Sequence, residues 1–146
     1  ARNISPYFLA MASADPLSQP LQRLQVIKGY LEDGVPAEKI YDIACPGNNQ
    51  PDLKTYRCPN NGAKVNLSDC STYQGTSATA FSVLWKDPEF EKNSDAFYYV
   101  RVLENPSCRW STWDAIKNGG EPRSDLPKTI QERAWSSPIW LRTKKL

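Results

Sequence analysis

Leu24-Gln25-Val26-Ile27-Lys28-Gly29-Tyr30-Leu31 alternates well enough for a strand, Lys39-Ile40-Tyr41-Asp42-Ile43-Ala44 is a second, and Asp33-Gly34 lies between them. That dipeptide supplies the positive φ angles of a tight reversal, so the two runs predict an antiparallel hairpin. Thr79-Ala80-Phe81-Ser82-Val83-Leu84-Trp85 predicts another strand, with Phe81, Val83 and Trp85 on one face. Residues 97–104 follow, with Tyr98, Val100 and Val102 on one face and Phe97, Tyr99, Arg101 and Leu103 on the other. Apolar or aromatic residues in both phases predict a central strand covered on both faces.

Between these runs the pattern breaks. Residues 46–73 are rich in Pro, Asn, Gly, Asp and Ser, and only Ala63-Lys64-Val65-Asn66-Leu67 looks like a short strand. Ser111-Thr112-Trp113-Asp114 has the spacing of a capping box and Gly119-Gly120 supplies a stop, so a short helix is expected over residues 111–118. A proline-bearing connector over 120–128 leads to a last strand over 134–142, where Pro138 marks a sheet edge. Frequent strands with one short helix predict a mainly β fold, an antiparallel β-sandwich with a long stapled loop, in a single domain over 1–146.

A chain of 146 residues can own a core. Its formal charge is +2, from 18 basic and 16 acidic residues of both signs scattered along it, which does not indicate nucleic-acid binding by bulk electrostatics. No segment approaches the ~20 apolar residues of a membrane-spanning helix. The sequence starts at Ala1 without methionine or a charged-then-apolar leader, and a processed, truncated or partial polypeptide is equally expected.

Cys45, Cys58, Cys70 and Cys108 form an even set without a C-x-x-C pair, and the chain has no histidine. A four-cysteinate zinc site normally shows two close pairs, so two disulfides in an oxidising compartment, periplasmic or extracellular, are expected instead. Three connectivities are possible. Cys45–Cys58 with Cys70–Cys108 is preferred, because the first staples the loop at its base and the second ties it to the strand ending near Leu103.

The string Ala96-Phe97-Tyr98-Tyr99-Val100-Arg101-Val102-Leu103-Glu104, running into Asn105-Pro106-Ser107-Cys108-Arg109-Trp110-Ser111-Thr112-Trp113-Asp114-Ala115-Ile116, closely resembles the end of the domain-of-unknown-function 3604 family. The resemblance continues through Thr129-Ile130-Gln131-Glu132-Arg133-Ala134-Trp135 and, upstream, through Arg23-Leu24-Gln25-Val26, Arg57-Cys58-Pro59 and Leu84-Trp85-Lys86-Asp87-Pro88. It implies a long exported bacterial parent whose amino-terminal part is similar to a metal-dependent hydrolase of the polymerase and histidinol phosphatase (PHP) type, acting on a phosphate ester or other ester-like bond. The His and Asp ligand motifs of that type have no matching position here. The resemblance therefore implies a divalent metal in the upstream part, no cofactor in this chain, and a supporting role for it.

Arg101, Glu104, Arg109, Glu132 and Arg133 are the charges embedded in the family-like strings. Either they face the catalytic part, where an arginine fork binds a carboxylate or phosphate through two parallel hydrogen bonds, or they pair with each other inside the sandwich. Trp110, Trp113, Trp135 and Trp140 invite a sugar-stacking reading, against which stands the commoner use of indoles as core or interface filling. Oxygen-bearing side chains alternate through Asp87-Pro88-Glu89-Phe90-Glu91-Lys92-Asn93-Ser94-Asp95, as in a calcium loop, but Lys92 and the missing glycine favour a solvated turn. Asn3-Ile4-Ser5 and Asn66-Leu67-Ser68 match the glycosylation acceptor pattern.

Catalysis by this chain alone is not expected, since no nucleophile and histidine pair can exist and no phosphate loop is present. The leading expectation is a non-catalytic accessory domain packed against the PHP-like part of the same precursor, which requires an exposed apolar patch larger than the ~300–600 Å² of ordinary monomers. The alternative, of a different class, is an extracellular interaction or assembly module that self-associates or binds glycan.

Overall fold

The computed structural model describes residues 5–142, so Asn3 and Ile4 of the first glycosylation pattern lie outside the described residues. The elements are β1 (Tyr7–Ser13), β2 (Leu21–Glu32), β3 (Val35–Ala44), β4 (Lys64–Val65), β5 (Thr72–Tyr73), β6 (Ala80–Lys86), β7 (Ala96–Glu104), β8 (Ser107–Cys108), α1 (Trp110–Lys117), β9 (Thr129–Ile130), β10 (Arg133–Trp135) and β11 (Ile139–Leu141).

The β2–β3 hairpin forms as expected and is longer than the alternation alone marked, pairing from Leu24 and Ala44 to Glu32 and Val35. Asp33 (φ 51°) and Gly34 (φ 81°) turn it, the positive angles that let a two-residue loop follow the strand twist. β7 lies on the other side of β2, and β10 and β11 share the far edge of β7, giving a five-stranded antiparallel sheet ordered β10/β11, β7, β2, β3. β7 is thus central, as its two-phase pattern predicts.

The expected last strand over 134–142 is broken in two. Ser136-Ser137-Pro138 interrupts it: Ser136 N donates to Val100 O at 3.0 Å, Val100 N donates to Ser136 Oγ at 2.9 Å, and Pro138 has no N–H to offer a ladder.

β1 and β6 pair over their whole length and form the second layer. Phe81, Val83 and Trp85 turn inward, and Ala10 and Phe81 close the core against Leu24, Val26, Tyr41, Ile43 and Tyr98 of the larger sheet. Trp85 is the indole of that core, with its ring 5.2 Å from that of Tyr41 and 5.9 Å from that of Phe8.

The 46–73 excursion is stapled by Cys45–Cys58 and Cys70–Cys108, the preferred connectivity. Closing 13 and 38 residues in the unfolded chain is worth about 3 and about 4 kcal/mol in the chain-entropy picture. Within the loop only the β4–β5 ladder is regular, shorter than the expected 63–67 strand because Asn66 leaves it for a turn that accepts the N–H of Cys70 at 2.8 Å. Buried Asn61 and Asn105 pin the loop to the end of β7: Asn61 Nδ2 donates to Asn105 Oδ1 at 2.7 Å, and Asn105 Nδ2 to Gln74 O at 2.8 Å.

Helix α1 begins at Trp110, not at Ser111, and its N-cap is Arg109, which makes no side-chain cap bond. The capping box is unused because the chain leaves β8 extended at Arg109 (φ −60°, ψ 143°), whose carbonyl takes the first amides, from Thr112 and Trp113. The stop falls where expected: Gly119 adopts φ 69° and Gly120 N donates back to Ala115 O at 2.8 Å.

Candidate functional site

Three surfaces and one buried cluster carry the chemistry. The first surface is the outward side of the β1–β6 layer. Phe8, Ala10 and Ala12 point into the core, which leaves Tyr7, Leu9 and Met11 outside, beside Leu84 of β6. Their exposures are 60%, 68%, 69% and 63%, and Lys86, whose Nζ lies 5.8 Å from the Tyr7 ring centroid, is the charge at its border. A strand apolar in both phases belongs inside a stack of layers, and a two-stranded sheet on its own is marginal. Among the described residues this layer is covered on one side only.

The second surface is the outer face of the larger sheet. Register sets Trp140, Phe97, Gly29 and Glu38 in one row, and Trp135, Arg101, Gln25 and Asp42 in another. A glycine makes room there for the Phe97 ring, since a Cβ would meet Phe97 Cζ at 2.1 Å and displace it. The Phe97 ring lies over that notch, stacked with Tyr99 at an interplanar angle of 11°, and borders a cavity of about 640 Å³ lined also by Leu31, Pro36 and Trp140. Of the residues expected to cover the second face of β7, Phe97 and Tyr99 are half-buried and Leu103 is buried.

The third is a groove of about 550 Å³ between α1 and the β8–β9 ladder, where Arg109, Trp110, Trp113 and Glu132 come together. Cys108 anchors it through the bridge to Cys70, and Arg109 Nε donates to Pro127 O at 3.1 Å. Arg101 lies away from this groove on the sheet face, Arg133 stands beside Trp135, and Glu104 accepts a hydrogen bond from Ser18 Oγ. None of the five charges forms an ion pair with another among the described residues, so the mutual pairing expected as one reading is not what holds them. The four tryptophans likewise do not fill the core: Trp110, Trp113, Trp135 and Trp140 are 78%, 49%, 58% and 62% exposed.

The buried cluster absorbs the calcium-like segment. Asp87 is buried at the end of β6, where its carboxylate pairs with Lys28 Nζ at 2.7 Å, accepts Tyr98 Oη at 2.8 Å and accepts the Glu89 amide at 2.8 Å. Lys28 Nζ also donates to the Glu89 carbonyl at 2.7 Å, and the Glu89 carboxylate takes Lys39 and Tyr41 Oη. Burial, reinforced by the hydrogen bonds to Asp87 and Glu89, pushes the phenols of Tyr98 and Tyr41 well above their ordinary range. The hydrogen bond from Lys39 holds the Glu89 carboxyl below its ordinary range and raises the ammonium of Lys39. These oxygens are occupied by ammonium, phenol and amide donors, which makes the segment a strap across one end of the sandwich. Among the described residues no group of three or more His, Cys, Asp and Glu side chains is placed to hold a metal ion, and no helix is long and apolar enough to cross a membrane.

Sequence reasoning missed β1 with its outward residues, and it missed the Lys28 and Asp87 pair. The signal for the pair was present: Lys28 sits in the inward phase of Leu24, Val26 and Tyr30, where a cation needs a buried counter-charge.

Fold and surfaces together define a mainly β domain held by two disulfides, the mark of an oxidising environment, with apolar side chains left on its thinner layer. The chain belongs to the family described as protein of unknown function (DUF3604), whose model matches residues 1–143. No curated protein and no solved structure matches it.

Proposed function

We propose that this chain is a non-catalytic accessory domain of an exported protein, and that it packs against a PHP-like, metal-dependent hydrolase part of the same precursor. The observation that carries the reading is the one-sided β1–β6 layer, with Tyr7, Leu9, Met11 and Leu84 each about two-thirds exposed. Covering them would return about 4–8 kcal/mol before the costs of association, at about 1.5–3 kcal/mol for each fully buried side chain. The partner in this reading is the upstream part that the resemblance implies, which would carry the imidazole ligands this histidine-free chain lacks. Exposed indoles that form no stacked pair with one another favour contact with a protein surface over a groove for neutral sugar.

The test is to express the chain and the upstream part of its parent as separate polypeptides and to measure their association by calorimetry. Leu9→Lys combined with Leu84→Lys, both fully on the outward side, should weaken binding about a hundredfold or more while leaving the fold intact. Undiminished binding by the double variant, or no association at all, would count against the reading. A chain that instead dimerises through this face, and becomes monomeric on the same substitutions, is the assembly module of the alternative reading.

A further inference from the structure

On the opposite side of the molecule, the outer sheet face carries a relay that ends in a guanidinium fork bonded by no described residue at its two outer nitrogens. Asp42 is buried at 3% exposure, with Arg23 Nη1 at 3.0 Å, the Cys58 amide at 2.7 Å and Arg57 Nη1 at 3.4 Å around its carboxylate. Gln25, 4% exposed, donates its Nε2 to Asp42 Oδ1 at 2.6 Å. That bond fixes which way the amide points, so Gln25 Oε1 faces the neighbouring strand and accepts Arg101 Nε at 2.8 Å. Arg101 is thereby held by its side, while Nη1 and Nη2 have no hydrogen-bond or ion-pair partner among the described residues.

The surroundings select an anion. Asp42 is already shared by Arg23 and Arg57, and Arg133 stands diagonally across from Arg101 with no carboxylate partner among the described residues. Directly opposite Arg101, on the same face, is Trp135, whose indole is 58% exposed; the shallow groove of about 410 Å³ on its other border is lined by Arg109, Glu132 and Arg133 and not by Arg101. A free Nη1/Nη2 edge offers two parallel donors to a pair of oxygens, of a carboxylate or of a tetrahedral oxyanion, so the choice between them falls to the indole beside it. The adjacent indole favours a carboxylate borne on a flat, partly apolar body.

We propose that Arg101, oriented by Gln25 and Asp42, is the centre of a carboxylate-binding site that takes a small acid with a flat face, such as a uronic acid or an aromatic carboxylate, laid against Trp135. The site lies on the face opposite the β1–β6 layer and does not depend on the accessory-domain reading.

The experiment follows the Nε–H resonance of Arg101 and the indole N–H resonance of Trp135 by NMR, so that each single variant keeps one reporter, while the chain is titrated with galacturonate, benzoate, acetate, sulfate and galactose at constant ionic strength. The expected result is saturable binding of galacturonate or benzoate at least about tenfold tighter than acetate or sulfate, with no response to galactose. Whichever of the two acids binds tighter identifies the source of the carboxylate. Arg101→Lys, which keeps the charge and loses the fork, should weaken that binding about tenfold, and Trp135→Ala, an exposed position, should bring it down to the level of acetate. Equal responses to sulfate and to the flat acids would mean charge screening alone and would overturn the proposal. So would an Arg101→Lys chain that is folded and binds undiminished.

Discussion

Substituting Lys28 by methionine removes one partner of a buried ion pair and nothing else of comparable size. The side chains of Lys28 and Asp87 are 8% and 0% exposed, and Nζ and Oδ2 are 2.7 Å apart. Without the ammonium, the Asp87 carboxylate keeps only the Tyr98 hydroxyl and the Glu89 amide, and the Glu89 carbonyl loses its donor. Leaving a buried charge unpaired costs about 3–5 kcal/mol. At a urea slope of about 1.5 kcal/mol per molar, the unfolding midpoint should fall by about 2–3 M, read by circular dichroism with both cystines intact. Asp87→Asn placed on top of Lys28→Met removes the orphaned charge and should restore at least half of the loss. A single variant that loses less than about 1 kcal/mol, or two substitutions whose costs simply add, would refute the reasoning, because additivity means the two groups are not coupled.

Tyr41 and Tyr98 should stay protonated well past pH 10, so absorbance at alkaline pH should show these two phenols silent until the chain unfolds. Because their folded pKa values lie above the unfolded value of about 10, their contribution is complete below that pH and is lost above it. Glu89 runs the other way: Lys39 lowers its folded pKa, so its contribution holds above about pH 4.3 and fades as the pH falls, and Glu89→Gln should flatten the acid limb of the stability profile. The effect should be small, since the side chain is 42% exposed and screened by water. Replacing Cys70 and Cys108 together by serine should cost about 4 kcal/mol against about 3 kcal/mol for Cys45 with Cys58, seen as the larger fall in thermal midpoint.

The parts of the fold legible in the sequence are those with a local cause. Asp33-Gly34 declares its turn through backbone sterics, and the two-phase run from Phe97 to Leu103 marks the central position of β7. The Pro, Asn and Gly content of the loop, with four cysteines around it, led to the cystine pairing. What escaped was set by distant partners. β1 carries apolar residues in both phases, and Asp15-Pro16 marks only the turn after it, so its place is fixed by pairing with β6, far along the chain. The capping box failed because the entry of the chain from β8, fixed by the Cys108 bridge, decides where α1 begins. Of the candidate residues, Arg109, Trp110, Trp113 and Glu132 gather in one groove, whereas Arg101 is oriented by Gln25 and Asp42, whose roles appear only once the register of three strands is known.

The chain has a single methionine, Met11, which stands on the exposed β1–β6 face next to Leu9 and opposite Ser82, 69% open to solvent. Its oxidation by dilute peroxide, followed by mass spectrometry of the peptide that contains it, reports directly on whether that face is covered. The docking account expects fast conversion to sulfoxide in the isolated chain and conversion slowed about tenfold or more when the upstream part is attached. Equal rates in the two proteins would mean that the face stays open in the parent, and the docking account would then be wrong.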